Sequence, residues 1–222
     1  MVSLNSPIHL QMLRDSWLAK TLPARIFKAI RNELRAGGVY GLEWGDPDVW
    51  HPLKFVRDRY VLPYVKSDQL AVEIGPGGGR WTRYLLGFKK LYVVDYHAEL
   101  LRELRKNFSR YPQIAFIQNH GTDFPGIEPG SIDFVFSFGT FVHLDLDIIE
   151  AYLDNIRTIL KPTGNAVIHY SDKAKIIARE NPGFSDNTVE QMRAAVTRHG
   201  FRMLEEDTTT MWHSSLIRFA LA

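Results

Sequence analysis

The chain has 222 residues, of which 45% are hydrophobic and 23% are charged, a globular composition that excludes disordered, collagen-like and coiled-coil classes. This length suits one α/β domain with a small appendage. The 27 Lys and Arg residues exceed the 25 Asp and Glu residues by a formal charge of +2, which by itself indicates no polyanionic partner. The sequence contains no cysteine, which excludes disulfides, thiolate metal sites and cysteine nucleophiles.

The sequence carries no sign of export or membrane insertion. Its first ten residues lack a basic start followed by an apolar run, and no stretch approaches the roughly 18 apolar residues of a membrane helix. We therefore expect a cytoplasmic protein with no membrane partner, in keeping with the lack of cysteine.

The first third of the chain predicts an N-terminal helical cap. Apolar residues recur at helical spacing over residues 7–36, where Pro23 opens a second helix and a Gly-Gly pair follows it. Residues 40–52 hold two Gly, two Pro and three large aromatic residues, which predicts an ordered loop of the kind that covers a pocket. Residues 53–64 are again helical in pattern. We take residues 1–66 as one unit and residues 67–222 as the second.

In the second unit, short apolar runs alternate with amphipathic helices, as in a parallel sheet with crossover helices. Two closing runs, 201–208 and 211–221, have no helix between them and must pair antiparallel. The pattern predicts a doubly wound, Rossmann-like α/β domain with a seven-stranded sheet whose last strand is antiparallel. The other expected strands are Leu70–Ile74, 91–94, 114–117, Ile132–Ser137 and 165–169.

Two helices carry local signals in this unit. Asp147 and Glu150 form a D-x-x-E pair, which predicts a capping box at the start of a helix that runs to Leu160. A last helix is expected over residues 188–199.

The most informative stretch joins the first of these strands to the helix after it. The strand carries Glu73 and runs into a turn with glycine at positions 75, 77, 78 and 79, where a bare backbone can approach a ligand. Asp95 ends the second strand about 20 residues further on, which suits a carboxylate that accepts hydrogen bonds from ribose hydroxyls. Tyr96 beside it suits the face of an adenine. Arg80 stands where the dinucleotide fingerprint needs its final glycine, so the match to a nicotinamide enzyme is imperfect.

The pattern E-x-G-x-G-x-G resembles the class I S-adenosylmethionine-dependent methyltransferases, and the resemblance extends over residues 70–222. It implies S-adenosylmethionine as cofactor, with the strand-end acid holding the methionine part, the glycines admitting ribose and methionine, and the second acid holding the ribose. Those roles fall on Glu73, Gly75, Gly77, Gly79 and Asp95.

Two further loops take roles from the same resemblance. The loop after the third strand contacts adenine in that family, and here His120 replaces its usual first acid. Whether Asp123 or the backbone of Gly121 and Thr122 reads the adenine edge stays open. Phe138 follows the fourth strand, where cofactor and acceptor meet in the family.

Histidines supply the candidates for a general base. His143 lies just past the fourth strand and His169 ends the fifth, both at the carboxyl edge where open α/β sheets bind ligands. We expect His143 to be the base and His169 to be the second catalytic candidate, with Tyr170 beside it on the substrate side. His213 and His120 are interpreted as ordinary surface or core residues.

A metal ion is a further possibility at this edge. The spacing His143-x-Asp145-x-Asp147 offers oxygen ligands with one imidazole, which would suit Mg²⁺, and Asp172 is a possible additional ligand. Helix capping explains Asp147 more simply.

The aromatic loop favours a polyhydroxylated substrate. Trp44, Trp50 and His51 stand among acidic residues, a mixture that stacks on the C–H face of a sugar and hydrogen-bonds its rim. The chain also resembles, more narrowly, bacterial sugar O-methyltransferases of the mycobacterial methylmannose polysaccharide type. We therefore expect methyl transfer to a hydroxyl of a small molecule, with a mannoside-like saccharide as the favoured acceptor.

Three alternatives remain at this level. One is a methyltransferase that acts on RNA or another small metabolite, one is an NAD-dependent oxidoreductase, and one is a non-catalytic nucleoside- or RNA-binding module. Solvated helix faces account for the basic residues of the chain, so no nucleic-acid partner is expected. Apolar faces on the first two helices could pair subunits into a homo-oligomer.

Overall fold

The structure is a computed structural model and describes residues 45–222. The two helices expected within residues 7–36 and the predicted substrate residue Trp44 lie outside the described residues. Strands and helices alternate through the described part. The strands are β1 (Leu70–Ile74), β2 (Lys90–Asp95), β3 (Ile114–Gln118), β4 (Ile132–Ser137), β5 (Leu160–Ser171), β6 (Phe201–Asp207) and β7 (Ser214–Leu221).

The helical pattern expected over residues 53–64 forms a helix that changes its winding. It begins as α1 (His51–Val56), continues as a π-helical turn (Arg57–Val61) and ends in a 3₁₀ turn (Leu62–Tyr64). The other α-helices are α2 (Thr82–Leu85), α3 (Ala98–Phe108), α4 (Leu146–Ile159), α5 (Ile176–Glu180) and α6 (Val189–Arg198).

The predicted sheet is confirmed. Its seven strands lie in the order β3-β2-β1-β4-β5-β7-β6. The pairs among β1 to β5 are parallel, whereas β7 runs antiparallel to both of its neighbours, β5 and β6. This is the doubly wound, Rossmann-like arrangement with an antiparallel last strand.

Helices cover both faces of the sheet, and the alternation along β1 shows how. Val72 and Ile74 face the core formed with α4 and α6, whereas Ala71 faces the core formed with α1, α2 and α3. Successive strand residues point to opposite faces, so the near-continuous apolar run of β1 buries both of its sides. Glu73 is the exception, because it places a carboxyl group inside the α1 to α3 layer.

The prediction of a capping box at Asp147 is wrong. Helix α4 begins at Leu146 with Asp145 as its N-cap residue, so Asp147 lies within the first turn, where its negative charge favours the helix dipole. Glu150 forms an ion pair with Arg198 at the end of α6 instead. A capping box does occur at α6, where Thr188 and Gln191 exchange side-chain and backbone hydrogen bonds.

Helix length and apolarity also bear on membrane insertion. Within residues 45–222, no helix combines the length and hydrophobicity needed to cross a bilayer.

Candidate active site

The loops that follow β1 to β4 meet at the carboxyl edge of the sheet. Strand β1 lies between β2 and β4, so the strand order reverses there, and ligands of open α/β sheets bind in the crevice at such a point. Two side chains tie the neighbouring ends together. Ser137 donates a hydrogen bond to the Ile74 carbonyl at 2.9 Å, and Thr140 donates one to the Gly75 carbonyl at 3.3 Å.

The turn after β1 leaves no room for side chains at two of its glycines. Gly75 has φ +67°, and a Cβ there would lie 1.9 Å from the Thr140 hydroxyl oxygen. Gly79 has φ +97°, and a Cβ there would lie 2.3 Å from the Phe108 ring of α3. The turn is therefore wedged between the loop after β4 and α3, which holds its backbone at the crevice.

Glu73 is a buried carboxyl group behind this turn. Only 2% of the residue is exposed, and its Oε2 accepts a 2.6 Å hydrogen bond from the Thr82 hydroxyl. Burial, with a smaller effect from the negative charge of Asp95, raises the pKa of Glu73 to about 8. The Thr82 hydrogen bond and the positive charge of Arg80 oppose this rise. At neutral pH the group is therefore mostly protonated and is ready to ionise beside a bound cation.

Asp95 stands at the end of β2 and faces the same crevice. Its Oδ1 accepts a 2.9 Å hydrogen bond from the His97 backbone N–H, and burial raises its pKa although that bond lowers it. Tyr96 is 59% exposed and lies edge-on to the His97 ring, with centroids 5.4 Å apart. The pair offers a carboxylate and an open aromatic ring side by side, as the ribose and adenine roles require.

The loop after β3 is held by a residue that the sequence did not single out. The Asn119 amide donates to the Gly121 carbonyl at 2.8 Å and to the Tyr152 hydroxyl at 3.1 Å, and Tyr152 donates to the same carbonyl at 2.9 Å. The Asn119 Oδ1 is enclosed and has no partner within the described residues. A Cβ added at Gly121 would meet no atom within 4 Å, so open space adjoins this loop.

Asp123 and Thr122 have partners inside the same region. An Asp123 carboxylate oxygen accepts a 2.7 Å hydrogen bond from the His120 backbone N–H, which closes the loop on itself. The Asn155 side chain of α4 donates to the Thr122 hydroxyl at 3.0 Å. One Asp123 oxygen is therefore used to hold the loop in its conformation. The choice between Asp123 and the backbone as the adenine contact stays a prediction.

His169 lies beside the loop after β4 and uses both ring nitrogens within the protein. The Gly139 N–H donates to its Nδ1 at 3.1 Å, so the ring proton is on Nε2, which donates to the Ser214 hydroxyl. The ring stacks on Phe138 with centroids 3.9 Å apart, and the Arg80 guanidinium lies over the Phe138 ring, 5.6 Å from its centroid. Burial and neighbouring positive charge hold the pKa of His169 well below its usual value. Because both ring nitrogens have partners within the protein, the catalytic role of His169 stays a prediction.

His143 has a different arrangement, with one nitrogen committed and the other free of protein partners among residues 45–222. The residue is exposed, and its Nδ1 lies 2.6 Å from the Gly183 carbonyl oxygen. A carbonyl only accepts, so Nδ1 carries the proton and the neutral ring keeps its lone pair on Nε2. This is the tautomer and the orientation that a general base needs.

The three predicted metal ligands do not form a cluster. His143 bonds to Gly183, Asp145 caps α4, and the buried Asp172 accepts a 3.0 Å hydrogen bond from Ser215. Within residues 45–222, no group of three or more His, Asp or Glu side chains is placed to hold a metal ion.

The predicted substrate residues fall in different places. Trp50 lies edge-on to Trp212, with centroids 6.3 Å apart, and His51 is exposed at the start of α1. Tyr170 has no exposed surface and belongs to the core under α4 and α6, on the opposite face of β5 from His169. The structure therefore leaves Tyr170 no surface for a substrate to touch.

Comparisons with known proteins agree with this geometry. A family model described as a methyltransferase domain matches residues 71–164. The fold is similar to a TehB-like S-adenosylmethionine-dependent methyltransferase from Corynebacterium glutamicum, with 16% identity, a TM-score of 0.61, and coverage of 89% of this chain and 97% of that one. No curated protein matches the sequence.

Two other similar structures act on different atoms. The glycopeptide N-methyltransferase MtfA complexed with S-adenosylmethionine has 14% identity and a TM-score of 0.57, over 70% of this chain and 82% of that one. The geranyl diphosphate C-methyltransferase from Streptomyces coelicolor, in complex with Mg²⁺, geranyl diphosphate and S-adenosylhomocysteine, has 12% identity and a TM-score of 0.62, over 78% and 82%.

The fold, the glycine-rich turn and the family match together define a methyltransferase. Residues 71–164 match the methyltransferase-domain model, and the described part of the chain has the fold of S-adenosylmethionine-dependent methyltransferases. Because similar structures include N- and C-methyltransferases, the acceptor atom has to be argued from this chain's own residues.

Proposed function

We propose that this protein transfers a methyl group to a hydroxyl of a small molecule, with a mannoside-like saccharide as the favoured acceptor. The observation that carries the proposal is the state of His143, an imidazole oriented by the Gly183 carbonyl, whose Nε2 has no partner among residues 45–222. Hydroxyl acceptors benefit most from such a base, because the oxygen must lose its proton when it gains the methyl group.

The carboxyl edge fits the cofactor. The buried carboxyl of Glu73 suits the ammonium group of the methionine part, and the Asp95 carboxylate suits the ribose hydroxyls. The enclosed Asn119 oxygen, which has no partner in the described part of the chain, and the open space beside Gly121 indicate that the adenine side is built for a ligand. When bound, S-adenosylmethionine supplies a methyl group on a positively charged sulfur.

The protein then has to align the acceptor and remove its proton. Orientation of reacting groups can lower the barrier by about 7–11 kcal/mol, and a positioned base adds about 10²–10⁴ in rate. Phe138 stacks on His169 and lies under the Arg80 guanidinium, and we infer that Phe138 and Arg80 form a wall between the cofactor side and the acceptor side. His143 Nε2 accepts the proton that the acceptor hydroxyl loses.

Aromatic residues near this wall support a saccharide. Trp50 meets Trp212, the residue before His213, and His51 follows Trp50 at the start of α1. Rings beside polar groups bind the C–H face and the hydroxyls of a sugar together. We propose on this basis that residues 1–66 contribute the acceptor side.

The test is methyl transfer from labelled S-adenosylmethionine to methyl α-D-mannopyranoside, to a panel of other hydroxyl compounds and to a matched panel of amines. We expect His143→Ala to lower kcat by about 10² or more while the affinity for S-adenosylhomocysteine stays unchanged. His199→Gln is the matched control, because His199 pairs with Asp154 far from this edge. Unchanged kcat in His143→Ala would remove the base assignment, and exclusive methylation of amine acceptors would overturn the proposed hydroxyl chemistry.

A further inference from the structure

His213 is the one histidine of the site whose ring nitrogens both lack a hydrogen-bond partner within residues 45–222. It lies at the start of β7 and is 8% exposed. Its Nδ1 is enclosed without a partner, whereas both nitrogens of neighbouring His169 are satisfied. Buried polar groups in native proteins are almost always paired, so an unpaired imidazole at the edge of an active site indicates a ligand.

The rings around His213 place it on the acceptor side. Its centroid is 5.8 Å from that of His169 and 5.1 Å from that of Phe184, and Phe184 is in turn 5.5 Å from His143. Phe184 therefore contacts two imidazoles, each with a hydrogen-bonding nitrogen that no group within residues 45–222 uses. His169, the other ring neighbour of His213, stacks on Phe138.

We propose that His213 is a second acceptor-contacting residue, and that His143 and His213 together hold a neutral ring-shaped polyol such as a pyranoside against Phe184. The proposal rests on the proposed function and specifies how the same site selects its substrate. One hydroxyl bonds to His143 as the group to be methylated, a second hydroxyl bonds to His213, and the C–H face of the ring packs on the phenyl ring.

The charge state of His213 favours hydroxyls over charged groups. Burial lowers the pKa of His213 to about 4, and the positive charges of Lys175 and Arg80 act in the same direction. A neutral imidazole offers one donor and one acceptor, which matches a hydroxyl that both donates and accepts. Lys175 itself is occupied, because it donates to the Met211 and Ser214 carbonyls and lies near Asp172.

The experiment uses the full chain saturated with S-adenosylhomocysteine and labelled with ¹⁵N in its imidazole rings. Methyl α-D-mannopyranoside is titrated in while the histidine resonances are followed. We expect the signals of His143 and His213 to move together with one dissociation constant, and the signal of His199 to stay in place. His213→Phe, which keeps the ring shape, should raise that constant about 10-fold, the size expected for one lost hydrogen bond to an otherwise unpaired group.

Two further readings separate the possible outcomes. His213→Asn should recover much of the lost affinity through its amide, and neither variant should change the affinity for S-adenosylhomocysteine. Movement of His143 without His213, or a dissociation constant in His213→Phe within twofold of the wild type, overturns the role of His213. If the sugar moves neither signal while the cofactor product binds, the pyranoside inference is overturned. If S-adenosylhomocysteine itself does not bind, it is the proposed function that fails.

Discussion

Glu73 is a protonated carboxyl group that we expect to lose its proton when the cofactor binds. Its pKa of about 8, raised by burial, keeps it mostly protonated at pH 7, whereas an ammonium group beside it favours the ionised form. We predict that binding of S-adenosylhomocysteine at pH 7 releases close to one proton. Calorimetric titrations in phosphate and in Tris, whose ionisation enthalpies differ, measure this directly.

Glu73→Gln should bind more weakly and release no proton, because the amide cannot ionise. Asp95→Asn is the matched control at the other end of the cofactor. It should lose affinity through the ribose contact yet keep most of the proton release. Equal binding heats in the two buffers for the wild-type protein would contradict the predicted ionisation of Glu73.

Single residues also show where the sequence stops being informative. The positions of His143 and His169 at the carboxyl edge followed from strand order, but their roles depend on partners far along the chain. Gly183 is 40 residues from His143, and Ser214 is 45 residues from His169. No local pattern distinguishes a satisfied imidazole from an unpaired one, so the sequence could not single out His213.

At the scale of elements, strands were easier to predict than helix ends. The bounds of β1 and β4 were predicted in full because both are short apolar runs between turn residues. Strand β5 instead starts at Leu160, directly after α4, and passes through Pro162 and Gly164, which from sequence resemble a turn. The N-terminus of α4 was misplaced because Asp145 and Asp147 are both plausible caps in composition.

The turn after β1 permits a test of why it needs glycine. Gly75→Ala places a Cβ at a positive φ and within 1.9 Å of the Thr140 hydroxyl oxygen, so it adds a steric clash to backbone strain. Gly126→Ala is the matched control, since its φ of +76° is similar and no atom lies within 4 Å of the added carbon. Strain alone costs about 1–2 kcal/mol, and we predict that Gly75→Ala costs clearly more in urea denaturation.

Removal of the Thr140 side chain, with which the added carbon clashes, completes that test. The double variant Gly75→Ala with Thr140→Gly should recover most of the difference from Gly126→Ala, because the three closest atoms to the added carbon belong to Thr140. Equal stability of Gly75→Ala and Gly126→Ala would show that the turn and the loop after β4 are not wedged together.

At the scale of the whole molecule, ionisable groups are buried at the carboxyl edge of the sheet. We expect them to make the free energy of unfolding depend on pH. Glu73 has a raised pKa in the folded state, so its contribution is complete below pH 4.5 and is lost as pH rises toward 8. His213 has a pKa lowered to about 4, so its contribution is present above pH 6.5 and is lost as pH falls toward 4, and His169 acts in the same direction.

These opposing effects predict a free energy of unfolding that peaks near pH 6.5, with slopes of up to about 1.4 kcal/mol per pH unit from each group. Urea denaturation from pH 4 to pH 8.5 measures the curve. Glu73→Gln should flatten the alkaline side and steepen the acid side between pH 4.5 and 6.5, whereas His213→Phe should flatten part of the acid side alone, since each variant removes one titration. If both variants run parallel to the wild type across the range, Glu73 and His213 ionise alike in the folded and unfolded chain, and the buried edge does not control stability.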